Sequence, residues 1–333
     1  MAVAPRADRI RDAEASATDD LVLPFKTERS GVHGHVVRLG SAIDSILSRH
    51  EYPEPVSRTL ADAVALTAML GVALKFDGKL TLQTSTDGVL GFLVVHFEAP
   101  GQLRAYASFD KERWAIAEAG GHAPAAEGSL LGKGHLAMTI DQVGARDRYQ
   151  GIVPLDDTSL ADAAETYFRQ SEQMPTFLRL AVARRFVAGA DGAPGTWSWR
   201  AGGLLLQYVR QEREIVRRGA TTEADEQELP GEADDEWQRV RLLASTVEDH
   251  ELIDPTLSPE RLLYRLFHEE GVRVFDKRPV QEHCRCSRER VEVFLRQFDA
   301  AEMDDLREPD GGISVKCEFC ATSYRFSPDE LKR

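Results

Sequence analysis

The first 283 residues of this 333-residue chain contain no cysteine. That absence rules out a disulfide framework across most of the molecule and confines all thiol chemistry to the C-terminal end. Positive charge is also scarce: 41 Lys and Arg stand against 55 Asp and Glu, a formal net charge of −14. A general nucleic-acid binder needs a basic surface to displace counterions from phosphates, so a nucleic-acid partner is not expected. No secretory apolar region opens the chain, because residues 1–20 mix Arg, Asp and Ala. The longest helical apolar stretch, residues 60–74, contains Asp62 and reads as too short for a bilayer. The expectation is a cytoplasmic protein without a membrane partner, in a compartment where clustered thiols bind metal or sense redox state.

Catalytic signatures are missing as well. There is no G-x-S-x-G, no H-E-x-x-H and no Walker loop. A loose G-x-G-x-x-A match at residues 132–137 runs into strand-like residues, whereas a dinucleotide loop opens a helix. His33 and His35 fall on what reads as a flexible entry segment without carboxylate partners. No set of nucleophile, base and oxyanion donor emerges, so the sequence does not read as an enzyme.

What is present is enough apolar material, 42% of residues, for a sizeable core. Residues 35–39 read as a strand and 41–49 as a short helix. A buried helix follows over 56–74, apolar on most sides. Strands are expected at 79–84, 89–97, 103–109, 136–140, 151–155, 176–186 and 197–199, with a helix after Ser159 to about 169. Neighbouring strands joined by short turns imply an α+β fold with an antiparallel-sheet core and packed helices. From 219 to 236 there are eight acidic residues and no basic ones, around Pro230-Gly231, which reads as a mobile linker. Helices are expected over 236–249 and from Ser258-Pro259 to about Gly271. The division is then a flexible tail (1–20), a core domain (21–205), a helical linker region (206–272), which the family resemblance given below implies is metastable, and a small C-terminal zinc-binding domain (273–333).

The four cysteines are Cys284, Cys286, Cys317 and Cys320. Two such pairs can close a tetrahedral sulfur shell around one zinc ion. Between them, Ser287 can cap a helix bearing Val291, Phe294, Leu295 and Phe298, and Ile313 and Val315 lead a short strand into Cys317. Ser327-Pro-Asp-Glu330 reads as a capping box opening a last helix. Arg285, Arg288, Arg290, Lys316 and Arg325 adjoin the cysteines and are candidates to offset the negative charge of a four-thiolate site. His283 is read as a neighbour, since four cysteines already fill the shell. Magnitudes bear on whether the site is a clip or a switch. Zinc contributes roughly 10–16 kcal/mol of folding free energy in small zinc units. Disulfides between nearest cysteines would close loops worth less than about 2 kcal/mol, too little to replace the metal.

These motifs, His283-Cys-Arg-Cys-Ser-Arg-Glu-Arg and Lys316-Cys-Glu-Phe-Cys, resemble those of the 33-kDa heat-shock protein family of bacterial redox-regulated chaperones. The likeness spans about Lys26 to Leu331 and includes Tyr52-Pro-Glu-Pro, Leu74-Lys-Phe-Asp-Gly, Tyr149-Gln-Gly-Ile-Val-Pro-Leu, Tyr167-Phe-Arg-Gln-Ser-Glu-Gln and Ala201-Gly-Gly-Leu-Leu-Leu-Gln. The N-terminal tail and the acidic segment depart from the family. The resemblance implies one zinc on four thiolates in an inactive reduced state. It implies disulfides Cys284–Cys286 and Cys317–Cys320 under oxidant, loss of zinc and unfolding of the linker. It further implies a homodimer on activation, unfolded client proteins as partners, binding without ATP, and transfer of clients to ATP-dependent foldases. The alternative reading is a zinc-ribbon protein with a purely structural metal in RNA or transcription complexes.

Overall fold

The computed structural model of the chain describes residues 19–74, 77–124, 126–144, 148–188, 194–208, 232–327 and 330–331. In chain order the elements begin with β1 (Leu21–Thr27), β2 (His33–Leu39), α1 (Ser41–Leu47) and α2 (Glu54–Ala73). Next come β3 (Gly78–Thr86), β4 (Phe92–Glu98), β5 (Gln102–Ser108), α3 (Lys111–Ala119), α4 (Glu127–Leu131), β6 (Lys133–Gln142) and β7 (Tyr149–Asp156). Then follow α5 (Leu160–Gln170), β8 (Thr176–Val187), β9 (Thr196–Gln207), α6 (Glu232–Ser245), α7 (Asp249–Ile253) and α8 (Pro259–Phe267). The C-terminal part adds β10 (Val272–Val274), β11 (Arg278–Pro279), β12 (Gln281–Glu282), α9 (Arg288–Leu295), α10 (Ala300–Asp305), β13 (Ile313–Lys316) and β14 (Ser323–Phe326).

The expected α+β class with an antiparallel core is what folds. One sheet has the order β10-β1-β2-β9-β8, with β11 also on β1; a second runs β12-β5-β4-β3-β6-β7; β13 and β14 form a small third. The first two sandwich α2. Its Leu60, Val64, Leu66 and Met69 are fully buried and packed with Val37 and Leu205 of one sheet and Leu82, Val95 and Phe97 of the other. Being covered on both sides explains why this helix is apolar nearly all round. Contrary to the length expectation, its 20 residues are long enough to cross a membrane; burial of 78% of the apolar window between the sheets is the reason to read it as a core helix.

Several other expectations shift. Val89 lies in a bend and the strand starts at Phe92. The short strand near 197–199 is the start of a 12-residue strand, β9, paired with β8 from Thr176↔Gln207 to Val187↔Thr196. His33 and His35 sit on β2, not on a flexible segment. The helix expected over 236–249 divides into α6 and α7, the latter started by a capping box of Glu248 and Glu251. Ser327 and Glu330 do bond, the Ser327 N–H donating to the carboxylate at 2.7 Å, but the described residues there form a turn instead of a helix. The expected tail lies outside the described residues up to 18, and the acidic segment up to 231. Asp19 and Asp20, read as tail, are held firmly. Arg200 clasps Asp19 bidentately at 2.7 Å, and Asp20 accepts the N–H groups of Gly40 and Ala42 at the start of α1.

The outer face of the first sheet carries a second apolar layer. Leu21, Leu23, Phe25, Val32, Val36, Leu204 and Leu206 are buried there beneath Trp237, Val240, Ala244, Val247, Leu252, Leu262, Leu263, Leu266 and Phe267 of α6–α8 and their connections. Ser258 caps α8 by accepting the Arg261 N–H, and Pro259 fills the first turn. Two buried arginines of the sheet fix α7 by its last carbonyls: Arg200 donates to Ile253 at 2.7 Å, and Arg38 to Glu251 at 2.8 Å and to Asp254. The approach is close enough that a Cβ on Gly202 would stand 2.3 Å from the Leu252 carbonyl oxygen.

Candidate metal centre

The segment leaving α8 threads both large sheets before reaching the cysteines. β10 and β11 add antiparallel to β1, and β12 adds parallel to the edge of β5. The His283 N–H then donates to the Leu103 carbonyl at 2.8 Å, which delivers Cys284 and Cys286 just past the sheet edge. Ser287 caps α9 as its sequence indicated, accepting from the Arg290 N–H. The β13–β14 hairpin presents the other pair: the Cys317 N–H donates to Thr322 and the Ala321 N–H to the Cys317 carbonyl, with Ala321 at φ 56°. This tight turn aims two sulfurs at one point.

All four sulfurs lie within 4.8 Å of one another. Cys284 Sγ is 3.7 Å from Cys317 Sγ, and Cys286 Sγ is 3.2 Å from Cys320 Sγ. Around a tetrahedral ion with metal–sulfur bonds of about 2.3 Å, neighbouring sulfurs stand about 3.8 Å apart. The cluster therefore fits one four-coordinate metal ion, with His283 outside the set. Among the described residues, only Leu295, Ile313 and Phe326 are fully enclosed in the apolar cluster behind it. Three such side chains are too few to order a segment of this length without a staple.

Without metal, the sulfurs are not equivalent. Burial pushes the Cys286 thiol up to about 12, against a Tyr324 hydroxyl 3.2 Å away that favours the thiolate. Burial raises Cys284 too. For Cys320 burial also raises, but hydrogen bonds from the Thr322 hydroxyl and backbone and from neighbouring thiols outweigh it and bring the thiol down to about 7.

Four of the five basic neighbours named from sequence are engaged with other partners. Arg285 pairs with Glu98 of β4, Arg288 with Glu330 at 2.6 Å while covering the Phe326 ring, and Arg325 with Glu308 and Asp310. Arg290 donates to the Arg285 carbonyl. Lys316 ends β13, exposed. A cation the sequence reading missed is Arg49, just past α1. It clasps Glu282 at 2.7 and 3.0 Å, and its own charged form is favoured first by that bond and also by Cys320 and Cys284. Nothing local marks Arg49; only the tertiary fold brings it to the sulfurs.

Phe319, inside the Cys317–Cys320 turn, was also missed. Its ring lies under the Arg104 guanidinium at 4.2 Å and 5.3 Å from His96, and its carbonyl meets His50 Nε2 at 3.2 Å. The cysteine module is thus seated on the outer face of β4 and β5.

The chain matches the family model described as Hsp33 protein over residues 20–327. It is 43% identical over 315 residues to the 33 kDa chaperonin of Caulobacter vibrioides, covering 95% of this chain and 97% of that protein. The 33 kDa chaperonin of Pseudomonas aeruginosa is 35% identical over 308 residues, covering 92% and 91%. Among solved structures, the 33 kDa chaperonin of Thermotoga maritima superposes with a TM-score of 0.68 at 20% identity, covering 94% of this chain and 96% of that one, a likeness of fold. Matched nearly end to end by family model and relatives alike, and carrying the four-cysteine module at its C-terminus, the chain belongs to the Hsp33 family.

Proposed function

We propose that this protein is a cytoplasmic, redox-switched chaperone that holds unfolding proteins without ATP, and that its cysteine module keeps the apolar layer of the first sheet covered until oxidised. The observation that carries this reading is the covalent route from that layer to the sulfurs. α6–α8 cover Phe25, Val36 and Leu204, and the segment that follows α8 runs through β10–β12 directly into Cys284. In this scheme 21–205 is the platform, 206–272 the metastable cover and 273–333 the sensor. Chaperone action is supported by the likeness to the 33 kDa chaperonins of Caulobacter vibrioides and Pseudomonas aeruginosa.

Zinc fits the all-sulfur donor set and, when bound, supplies bonds that stand in for a missing core. A peroxide takes two electrons from each pair of thiols. With hydrogen peroxide as the oxidant, the O–O bond breaks and two waters leave, carrying the two thiol protons, as one S–S bond forms, Cys284–Cys286 or Cys317–Cys320, and the sulfurs then no longer serve as ligands. The module loses its staple, β12 leaves β5, and α6–α8 separate from the sheet. Unfolded client proteins bind the uncovered face; the active form is a homodimer, and clients pass to ATP-dependent foldases when thiols are reduced again. The zinc-ribbon alternative has less support, because the module is packed against its own core and the chain is acidic.

The test is zinc release, followed with a metallochromic dye, together with light scattering of a heat-unfolding client before and after peroxide at raised temperature. Zinc release with suppressed scattering is expected. Retained zinc and unchanged scattering would overturn the switch.

A further inference from the structure

The seat of Phe319 is built for an aromatic side chain in a way the metal site does not require. The outer face of β4 and β5 sets His96 opposite Arg104 and Val94 opposite Tyr106. Arg104 Nε donates to His96 Nδ1 at 3.0 Å, which holds the guanidinium over the Phe319 ring, and the Tyr106 ring is 6.4 Å away. His50 stacks on Tyr52 at 4.8 Å and turns its Nε2 to the Phe319 carbonyl. The residue before Phe319 also belongs to the fit: burial first, and then the nearby Glu318 carboxylate, push the Tyr106 hydroxyl above its ordinary range. Beside this seat runs the free edge of β5, already extended by Gln281–Glu282, with the Gln281 N–H donating to Gly101. An added strand plus an aromatic anchor in a cationic cup is a known way to bind an extended peptide. Here the chain fills both parts with its own residues.

We propose that Phe319 is a self-ligand, and that the surface formed by Arg104, His96, Tyr106, His50 and the β5 edge is a docking site for an extended client segment carrying an aromatic residue next to an acidic one. The partner's chemistry is read from the occupant: a Glu-Phe pair, one ring under a guanidinium and one carboxylate in the neighbourhood of a tyrosine hydroxyl. Departure of the module vacates the ring seat and the strand edge together, so this site opens with the apolar layer and on the opposite sheet. An unfolded chain is thereby gripped at two places. The proposal rests on the chaperone reading above and specifies where clients bind.

The experiment uses the full chain and fluorescein-labelled, reduced and carboxymethylated α-lactalbumin as a permanently unfolded probe, with binding read by anisotropy. Oxidised wild type is expected to bind it. Oxidised Arg104→Ala is expected to bind about five- to tenfold more weakly, the range a partly desolvated cation–π contact carries. A peptide of residues 316–322 with Cys317→Ser and Cys320→Ser should compete with the probe, and the same peptide with Phe319→Ala should not. A photo-cross-linker replacing Gln102 should capture the probe after oxidation. In the reduced, zinc-loaded state, Phe319→Ala should bind the probe where wild type does not. Equal binding by oxidised wild type and Arg104→Ala, with no capture at Gln102, would overturn the site while leaving the chaperone reading in place. No binding by oxidised wild type would overturn both.

Discussion

Phe267 is fully buried at the end of α8 and stacks on Phe25 of β1, ring centroids 5.8 Å apart at 24°. It belongs to the apolar layer between α6–α8 and the first sheet, a cluster separate from the α2 core and from that of the cysteine module. Truncating a buried phenylalanine to alanine costs roughly 3–5 kcal/mol. At about 1.4 kcal/mol per tenfold, that shifts the opening equilibrium of the layer by about a hundred- to a few-thousand-fold. Phe267→Ala should therefore lose amide protection in α6–α8 while β3–β6 keep theirs, with zinc still bound and the thiols reduced. It should also suppress client aggregation without oxidant. Hydrogen exchange read by mass spectrometry, beside a zinc assay and light scattering, decides the matter. Leu66→Ala is the control: Leu66 is fully buried in the α2 core, so that change should lower global stability without selectively opening α6–α8. If Phe267→Ala lowered protection evenly over both sheets, the layer would not be a separately opening unit and the reasoning would fail.

A second route to the same state is Gly202→Val, whose Cβ would meet the Leu252 carbonyl oxygen at 2.3 Å; it should displace α7 and give chaperone activity in reduced, zinc-loaded protein. Peptide mapping of oxidised protein should find Cys284–Cys286 and Cys317–Cys320, although the shortest sulfur separations are Cys284–Cys317 and Cys286–Cys320. Those cross-pairs would close loops worth about 4 kcal/mol and keep the module shut, so finding them would convert the proposed switch into a clip. Burial, aided by Arg104, Lys79 and Arg285 and opposed by Asp141, brings His96 down to about 4, and burial lowers His50 as well. A depressed histidine stabilises the docked state above its unfolded value near 6.5 and loses that contribution as pH falls toward about 4. The protection factors of the amides of residues 281–283, corrected for the intrinsic pH dependence of exchange, should accordingly fall from pH 7 to 5, and a flat profile of protection would count against histidine involvement in docking. Chelation of reduced protein should abolish protection of the β13–β14 hairpin; unchanged protection would mean that the metal does not hold the module.

The parts of the fold that were legible share a local cause. The α2 helix is visible because a segment packed on both sides must be apolar nearly all round, and the core strands because one buried face forces alternation. The cysteines are visible because metal spacing is a property of sequence. α3 hid because it buries no residue, although Asp110 accepts the N–H groups of Glu112 and Arg113 as a proper cap. β10–β12 were unreadable because strands of two or three residues have no period; they exist only because β1 and β5 offer edges. Arg49, Arg104 and Glu98 came to the module from 180 or more positions away, and no local pattern encodes such partners. The buried Arg38 and Arg200 were missed for a related reason: an arginine in a strand reads as surface until the carbonyls it serves are known.

In the switch proposed above, the threading of residues 272–282 through both sheets would set an order of events. The pairing is two residues on β5, then two and then three on β1, counted back from the cysteines. Such a ladder peels from one end, a rung at a time, and no rung is a large barrier. A brief opening of the sulfur cluster frays the first rungs and re-closes from the end still held. A lasting one runs on to α8, where the packed phenylalanines give way all at once. In the proposed switch the segment would thus be a delay line between a chemical event and a mechanical one, its length in rungs a filter on how long a stress must persist before the protein responds.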